Sequence, residues 1–318
     1  MTDAQTRRNR LTGCYVTVPT MFRDDDLEID FSAIKGHMRF LLDGGLRTGN
    51  AVVLAGGAAG DFSTMTFDER VAVAEAIVQE ADGRIPVVFG AQSTSTRELV
   101  ALAKAAERIG AEYIQVSPPY YFAPTEGDFY EYLVAAAEAA NVGIIVYNTF
   151  WTSSNVSLEI IERLIELQNV VGLKWSTPSA SFMSFQRAIV QFANRLSIID
   201  NHGSYVTSHM LGARGIEVHP ANYFPQWGAH MWELLENKKY EEAEREAVRV
   251  LLPFQAIWEE MSKHTSGDGY LDKLCMELVG LGSSRCRPPT RDVRDQFREK
   301  VRDMLVQCGV PRVLPRAA

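Results

Sequence analysis

The sequence has no long apolar run, no basic run and few cysteines. Its 318 residues carry a formal net charge of −8, so we expect no nucleic-acid partner. No apolar stretch approaches the length of a membrane span, and the polar segment from Met1 to Arg10 lacks the apolar region of a secretory signal. We therefore expect a cytoplasmic protein that makes no membrane contact.

The four cysteines lie far apart and lack the spacing of a metal site; they are Cys14, Cys275, Cys286 and Cys308. Such cysteines are typical of reduced thiols in a cytosolic protein. The composition, with 46% hydrophobic and 23% charged residues, is ordinary for a globular protein. A large core can be buried at this length.

Short apolar runs recur along the chain and are separated by stretches with helical spacing. The runs are Tyr15–Pro19, Ala51–Ala55, Ile85–Phe89, Tyr113–Val116, Gly143–Tyr147, Val170–Lys174, Leu196–Ile199 and Gly215–Val218. Eight strands alternating with helices over this length predict an α/β fold, a (β/α)₈ TIM barrel. A doubly wound sheet is the competing architecture, but the glycine-rich segment Gly56–Gly60 lacks the G-x-G-x-x-G spacing of a dinucleotide site.

The alternation ends after about Lys238, and three helical patterns follow at 240–261, 271–281 and 291–306. We predict that residues 1–236 form the barrel. Residues 237–318 are predicted to be a C-terminal helical extension, packed on the barrel or on a neighbouring subunit. No linker rich in proline, glycine and serine indicates a separate second domain.

A lysine ends the sixth apolar run, where a bare ammonium group is least expected. A lysine buried there must be paired or lose its proton, and a neutral amine is a nucleophile. Lys174 is therefore a candidate Schiff-base lysine. The alternative is a strand-end lysine whose head reaches solvent.

In a (β/α)₈ barrel the active site lies at the C-terminal ends of the strands. The polar or glycine-rich residues at those ends are Gly57–Asp61, Tyr120, Tyr121, Tyr147, Asn148, Lys174, Asp200, Asn201, His202, Glu217 and His219.

Several short motifs in this order resemble those of one enzyme family. The markers are Gly57–Gly60, Pro119-Tyr120-Tyr121, Val146-Tyr147-Asn148, Gly172-Leu173-Lys174 and the separation of 27 residues between Tyr147 and Lys174. The chain resembles the class I aldolase superfamily of dihydrodipicolinate synthase and N-acetylneuraminate lyase, over most of its length. The resemblance implies a barrel and a homo-oligomer, either a dimer or a tetramer.

By this resemblance, Lys174 attacks the ketone of a 2-oxo acid and forms a protonated imine, which acts as an electron sink. No cofactor is then expected. Tyr147 matches the tyrosine that relays protons at the imine, and a nearby cation would favour its phenolate form. Tyr121 matches the aromatic residue that reaches into a neighbouring subunit's site.

Two departures from the family pattern concern substrate binding. Ala58 and Ala59 stand where family members usually have two hydroxyl residues, so only backbone amides could bind the substrate carboxylate there. Thr152 stands where dihydrodipicolinate synthases have an arginine for the carboxylate of the aldehyde. We predict that the protein is not a true dihydrodipicolinate synthase. Phe150, Trp151 and Trp175 predict an aromatic rim and a less polar acceptor.

Further polar residues replace apolar or small ones near the expected imine. Glu217 and His219 share strand parity, so we expect both on one side of strand eight. We predict that Glu217, with His219 or Asp200, transfers protons or binds substrate; the alternative for Glu217 is a structural ion pair with Lys174 or an arginine. A metal cluster of Asp200, His202, Glu217 and His219 is conceivable, but an imine lysine makes a metal redundant, so we predict none.

The predicted function is a Schiff-base-forming lyase of a pyruvate-type 2-oxo acid, working as an aldolase, retro-aldolase or hydratase-aldolase with an aldehyde as the second partner. A dehydratase or deaminase of a hydroxylated 2-oxo acid would use the same imine. A non-catalytic ligand-binding barrel is the alternative outside the enzymes; its site would be expected to have lost Lys174 and Tyr147 as well.

Overall fold

A computed structural model describes residues 3–178 and 182–316. In the described residues eight strands form a closed parallel barrel in chain order, β1 to β8. They are β1 (Gly13–Val18), β2 (Ala51–Ala55), β3 (Val87–Gly90), β4 (Tyr113–Val116), β5 (Gly143–Tyr147), β6 (Val170–Trp175), β7 (Ser197–Asp200) and β8 (Gly215–Glu217). The ends of each predicted run agree with those of its strand to within two residues. The predicted (β/α)₈ barrel is confirmed.

The helices follow the strands and then continue alone towards the C-terminus. They are α1 (Asp3–Arg10), α2 (Phe31–Asp43), α3 (Phe67–Ala81), α4 (Thr96–Ile109), α5 (Glu126–Ala139), α6 (Leu158–Leu164), α7 (Phe182–Phe192), α8 (Tyr205–Leu211), α9 (Pro225–Glu236), α10 (Tyr240–Met261), α11 (Tyr270–Leu278) and α12 (Arg294–Gln307). The predicted C-terminal helices correspond to α10, α11 and α12.

Local capping explains where several of these helices begin. Thr66 accepts a bond from the amide of Glu69, whose carboxylate bonds back to the amide of Thr66, and this capping box starts α3. Thr125 and Asp128 form the same arrangement at α5. Such side chains satisfy amides that the helix itself leaves without partners.

Helix α1 is polar and was not expected from the pattern of apolar residues. It leads into Leu11, whose side chain lies against β6. A Cβ atom on Gly172 would lie 2.5 Å from Cδ2 of Leu11, so only glycine allows this approach. The N-terminal helix is thus joined to the strand that carries Lys174.

The chain divides into two compact units. The first comprises Met1–Tyr15, Arg47–Val53 and Gly83–Glu217, and the second comprises Val16–Leu46, Leu54–Asp82 and Val218–Ala318. Helices α10 to α12 belong to the second unit. The division at residues 236 and 237 stays a prediction, and residues 1–2 and 317–318, at its outer ends, lie outside the described residues.

Among residues 3–178 and 182–316, no helix combines the length and apolar character needed to cross a bilayer.

Candidate active site

The side chain of Lys174 points into the first unit from β6 and meets a carboxylate from β8. Its Nζ atom lies 2.5 Å from Oε2 of Glu217, and the two side chains are only 4% and 8% exposed. The head of Lys174 therefore does not reach solvent, and the alternative of a strand-end lysine with a solvent-exposed head is wrong. An ion pair this well buried is costly to desolvate, so the two charges depend on each other.

Two aromatic faces complete the surroundings of the lysine. Nζ of Lys174 lies 4.8 Å from the ring centroid of Tyr15 and 4.6 Å from that of Tyr147. Strand register explains the grouping, because Tyr147 pairs with Lys174 between β5 and β6, and Tyr15 pairs with Glu217 between β1 and β8. Both contacts are within the range of a cation–π interaction.

Hydrogen bonds fix the tyrosines and the strand around this cluster. Nδ2 of Asn201 donates to the hydroxyl of Tyr147 at 3.2 Å. The hydroxyl of Tyr15 donates to Oε1 of Gln115 at 2.9 Å. The hydroxyl of Tyr205 donates to the backbone carbonyl of Glu217.

Two of these tyrosines remain protonated over the ordinary pH range. Burial, reinforced by the negative charge of Glu217, raises the pKa of Tyr15 well above its usual value. Burial, with the charges of Asp200 and Glu217, does the same to the pKa of Tyr205. Tyr15 and Tyr205 therefore act as hydrogen-bond donors.

Tyr15, Gln115 and Tyr205 were missed by the sequence analysis. A signal was present for the first two, because each is a polar side chain within an apolar strand run. Alternation along β1 or β4 tells which neighbours share a face with Tyr15 or with Gln115. Whether that face points into the barrel depends on the register between strands.

Asp200 lies on the opposite face of the sheet from Lys174. In the register of β6 and β7, Lys174 pairs with Ile199, and Asp200 pairs with Trp175. The carboxylate accepts bonds from the hydroxyl of Ser208 and the amide of His202, both at 2.5 Å. Burial raises its pKa, which these two bonds oppose. The expected grouping of Asp200 with the lysine is therefore corrected: its carboxylate binds Ser208 of α8.

His219 also departs from expectation, because β8 ends at Glu217 and His219 begins a 3₁₀ turn, His219–Asn222. The strand-parity argument does not extend to it. Its Nδ1 atom lies 3.0 Å from Oδ2 of Asp272, and its ring stacks on Phe254 with centroids 5.8 Å apart. These contacts lie within the second unit. A role in substrate binding stays a prediction.

Within the described ranges, no three His, Cys, Asp or Glu side chains come together as a metal site. The side chains that could have formed one are engaged elsewhere: Asp200 binds Ser208, and His219 binds Asp272.

The segment after β5 supplies an aromatic edge. The Trp151 ring lies edge-on to Tyr147, with centroids 5.7 Å apart, and edge-on to Phe150 at 5.0 Å. Thr152 closes a turn, with its hydroxyl donating to the carbonyl of Thr149 at 3.0 Å. Trp175 was expected at this edge, but it is buried on the face of β6 opposite Lys174. Of the three aromatic residues predicted to form a rim, only Phe150 and Trp151 lie together in this segment, and a role in binding an acceptor stays a prediction.

The Ala58-Ala59 loop belongs to the second unit and forms a tight turn. Its own bonds use the amides of Gly60 and Asp61, which donate to the carbonyls of Gly57 and Ala58 at 3.0 and 3.1 Å. The predicted carboxylate binding would then depend on the amides of Ala58 and Ala59. A Cβ atom on Gly269 would lie 2.3 Å from the carbonyl oxygen of Ala59, so the start of α11 packs directly against this turn.

A buried ion pair follows the loop. Asp61 Oδ2 lies 2.6 Å from Nζ of Lys273, with both side chains almost fully buried. Nζ of Lys273 also lies 4.5 Å from the ring centroid of Phe22. Burial raises the pKa of Asp61, although Lys273 and Arg287 oppose this shift. The pair ties the end of the loop to α11.

Tyr121 lies at the surface of the first unit. It is 84% exposed and packs edge-on against Phe122, which is 78% exposed. Its φ of +85° is unusual for a residue with a side chain. The structure thus presents two adjacent aromatic rings to solvent.

Comparisons with known proteins agree with this fold. The sequence profile of the dihydrodipicolinate synthetase family matches residues 10–308. A 4-hydroxy-tetrahydrodipicolinate synthase of Gluconacetobacter diazotrophicus is 28% identical over 288 residues, which are 90% of this chain and 94% of that protein. The dihydrodipicolinate synthase structure from Aquifex aeolicus superimposes with a TM-score of 0.83 at 24% identity, covering 95% of this chain and 99% of that one. The chloride-inhibited dihydrodipicolinate synthase of Acinetobacter baumannii, complexed with pyruvate, gives a TM-score of 0.82 at 24% identity, covering 94% and 99%.

Proposed function

The chain belongs to the dihydrodipicolinate synthetase family, and we propose that it is a Schiff-base-forming lyase of a pyruvate-type 2-oxo acid. It would work as an aldolase, retro-aldolase or hydratase-aldolase. The observation that carries this proposal is the position of Lys174 on β6, buried, 2.5 Å from one carboxylate and against two tyrosine rings. A buried amine beside a proton acceptor is suited to nucleophilic catalysis.

The contacts of Lys174 suggest the order of proton transfers. Glu217 accepts a proton from the ammonium group, and the neutral amine attacks the ketone carbon of the 2-oxo acid. The carbonyl oxygen takes up two protons and leaves as water, which gives a protonated imine. The ring centroid of Tyr147 lies 4.6 Å from Nζ, and its hydroxyl accepts a bond from Asn201. Tyr147 is the second residue that serves in these proton transfers.

The imine then draws electrons from an adjacent carbon. In the cleavage direction, the bond between C3 and C4 of the substrate breaks, its electron pair forms an enamine, and the C4 hydroxyl becomes the carbonyl of the released aldehyde. The proton of that hydroxyl passes to a base of the site. Protonation of the enamine carbon and hydrolysis of the imine release pyruvate.

Borohydride trapping tests this proposal directly. With pyruvate present, reduction should leave a stable adduct on the peptide that contains Lys174, read by mass spectrometry. Lys273 offers a matched internal control, because it is a second buried lysine paired with one carboxylate, at 2.6 Å. Its peptide should carry no adduct. Absence of an adduct on Lys174 with every 2-oxo acid tried would refute the imine and leave the non-catalytic binding barrel.

A dehydratase or deaminase of a hydroxylated 2-oxo acid is the second candidate. The observation in its favour is the carboxylate of Glu217 beside Nζ, because such a base could remove the proton at C3 of an imine. Product analysis separates the two reactions. A lyase that cleaves carbon–carbon bonds releases an aldehyde and pyruvate, whereas a dehydratase or deaminase keeps the carbon chain intact.

The acceptor is proposed to be less polar than that of a true dihydrodipicolinate synthase. Thr152 closes a turn with a neutral hydroxyl, and Trp151 is an exposed aromatic ring in contact with Tyr147. We expect aromatic aldehydes to condense with pyruvate faster than a carboxylate-bearing aldehyde. The variant Thr152→Arg should improve use of the carboxylate aldehyde, because arginine binds carboxylates in a bidentate manner. Efficient formation of 4-hydroxy-tetrahydrodipicolinate by the unaltered protein would contradict this substrate assignment.

A homo-oligomer, either a dimer or a tetramer, is proposed on the exposed aromatic pair of Tyr121 and Phe122. Adjacent exposed apolar side chains often mark protein contacts. Sedimentation should show an assembly larger than one chain, and Tyr121→Ser should weaken it; a monomeric unaltered protein would contradict the proposal.

A reducing, cytoplasmic location is also proposed, because all four cysteines are thiols and each lies within the described residues. Fractionation of the cells of origin, followed by immunodetection, would test this.

A further inference from the structure

The ring of Tyr15 lies against Nζ of Lys174, although Tyr15 was not among the predicted site residues. It is almost fully buried on β1, where it pairs in register with Glu217. Its ring centroid lies 4.8 Å from Nζ of Lys174, and Tyr147 supplies a second ring at 4.6 Å. The nitrogen is therefore flanked by two aromatic faces and one carboxylate.

The orientation of the Tyr15 ring is set from outside the lysine cluster. Its hydroxyl donates to Oε1 of Gln115 on β4 at 2.9 Å, and both side chains are almost fully buried. A buried hydroxyl and amide that bond to each other have little freedom to turn. Gln115 thus anchors the hydroxyl end of the ring that faces Nζ.

Imine formation changes what the nitrogen can bind. An ammonium group has three N–H donors, which it can direct to a carboxylate and to other acceptors at the same time. A protonated imine keeps the positive charge but has a single N–H, so it makes fewer hydrogen bonds to Glu217. A ring face attracts the charge itself and needs no N–H donor.

We propose that Tyr15 is a further residue of the reaction site, whose ring face stabilises the positive charge on the Lys174 nitrogen after the imine has formed, and that Gln115 is the positioning residue for that ring. This inference rests on the proposed imine chemistry. It assigns Tyr15 to the chemical step, in addition to its packing in the barrel.

The first test compares two replacements of Tyr15. Tyr15→Phe keeps the ring but loses the bond to Gln115, so it should lower the trapping rate with pyruvate and borohydride only slightly, by about twofold. Tyr15→Leu removes the ring and should lower that rate by roughly 3- to 30-fold, the range between an exposed and a desolvated cation–π contact. Equal rates for the phenylalanine and leucine variants would overturn the assignment.

A matched control separates this effect from loss of stability. Tyr113→Phe also removes the hydroxyl of a buried strand tyrosine of the first unit, whose bond of 2.7 Å goes to the carbonyl of Arg7. It should leave trapping at Lys174 unchanged. Gln115→Leu should lower trapping to about the same extent as Tyr15→Phe, because both variants lose the bond that anchors the ring. An unchanged rate in Gln115→Leu would refute the positioning role.

A fluorinated series protects the test against misfolding of the leucine variant. Phenylalanine with zero to three ring fluorines at position 15 keeps the shape of the ring but progressively weakens its negative face. Trapping rates should fall steadily along the series. A flat series would show that the ring acts only by packing.

A substrate-independent reaction distinguishes failure of this inference from failure of the proposed function. Reductive methylation with formaldehyde and borohydride passes through an iminium ion on the same Lys174 nitrogen. Its rate, relative to that of the exposed Lys104, should fall in Tyr15→Leu and along the fluorinated series. If the unaltered protein forms no adduct with 2-oxo acids, the proposed function fails. If the relative methylation rate of Lys174 is the same with and without the ring at position 15, the role of Tyr15 fails.

Discussion

Nζ of Lys174 and Oε2 of Glu217 lie 2.5 Å apart, on strands β6 and β8 of the barrel, with β7 between them. The pair is buried, so each charge replaces the water that the other has lost. A structural ion pair and a proton-transfer pair share this geometry. They differ in what happens when the carboxylate loses its ability to accept a proton.

Glu217→Gln keeps the shape of the side chain but removes the base. We expect the rate of imine formation with pyruvate to fall by about 10²- to 10⁴-fold, the usual contribution of a general base. Borohydride trapping would measure the rate of imine formation, and steady-state assays would measure turnover. Glu112→Gln, which removes a partly exposed partner of Arg10 elsewhere in the first unit, is the control. Turnover equal to that of the unaltered protein in Glu217→Gln would reduce the pair to a structural role.

The ion pair of Asp61 and Lys273 is expected to act mainly on stability. Lys273→Met leaves the buried carboxylate without its closest cation and should cost about 3–5 kcal/mol of unfolding free energy. The double variant Asp61→Asn, Lys273→Met should recover much of that loss, because no buried charge is left alone. Lys300→Met, which breaks an exposed pair with Glu260, should cost far less, because solvent screens that pair. Denaturant titration would compare them, and equal losses for Lys273→Met and Lys300→Met would contradict the prediction.

His37 should make stability depend on pH. Its Nε2 atom bonds to the carbonyl of Asn222 at 2.8 Å, and burial lowers its pKa from 6.5 to about 4. Between those values the unfolded chain binds a proton that the folded chain does not. Unfolding free energy should therefore be fully retained above pH 6.5 and fall as the pH is lowered towards 4, by about 3 kcal/mol in total.

The variant His37→Gln should flatten this part of the pH–stability curve. Exposed His230→Gln is the matched control and should leave the curve's shape unchanged. An identical slope for His37→Gln and the unaltered protein, measured by denaturant titration at several pH values, would show that His37 does not cause it.

Trp151 should affect the acceptor and spare the imine. Its ring touches Tyr147 edge-on and is half exposed, so it can contact an incoming aldehyde. Trp151→Ala should raise KM for an aromatic aldehyde by about 3- to 10-fold, as expected for loss of one aromatic contact. Trapping with pyruvate alone should stay within about threefold. A change in trapping with no change in the aldehyde KM would contradict the assignment of Trp151 to the acceptor. The control is Phe31→Ala, which replaces a partly exposed aromatic residue of the second unit.

Much of the fold followed from local patterns. The recurrence of short apolar runs predicted eight strands, because a barrel strand buried on both faces needs apolar residues at nearly every position. The capping box of Thr66 and Glu69 sets the start of α3 for a local reason, since all its partners lie within four residues. Helix α1 lacked any apolar stripe and could not be predicted in this way.

The sequence by itself determined that a lysine ends a buried strand and that a tyrosine ends the strand before it, and the barrel places these two side by side. Only the tertiary structure decided which side chains surround that lysine. Glu217 reaches it across β7, and Tyr15 reaches it through the closure of β1 on β8. Asp200 faces the other side of the sheet by one residue of register, and His219 lies beyond the end of its strand. The physical reason is that strand alternation fixes relative facing within a strand, while the inward face is set by pairing between residues far apart in the chain.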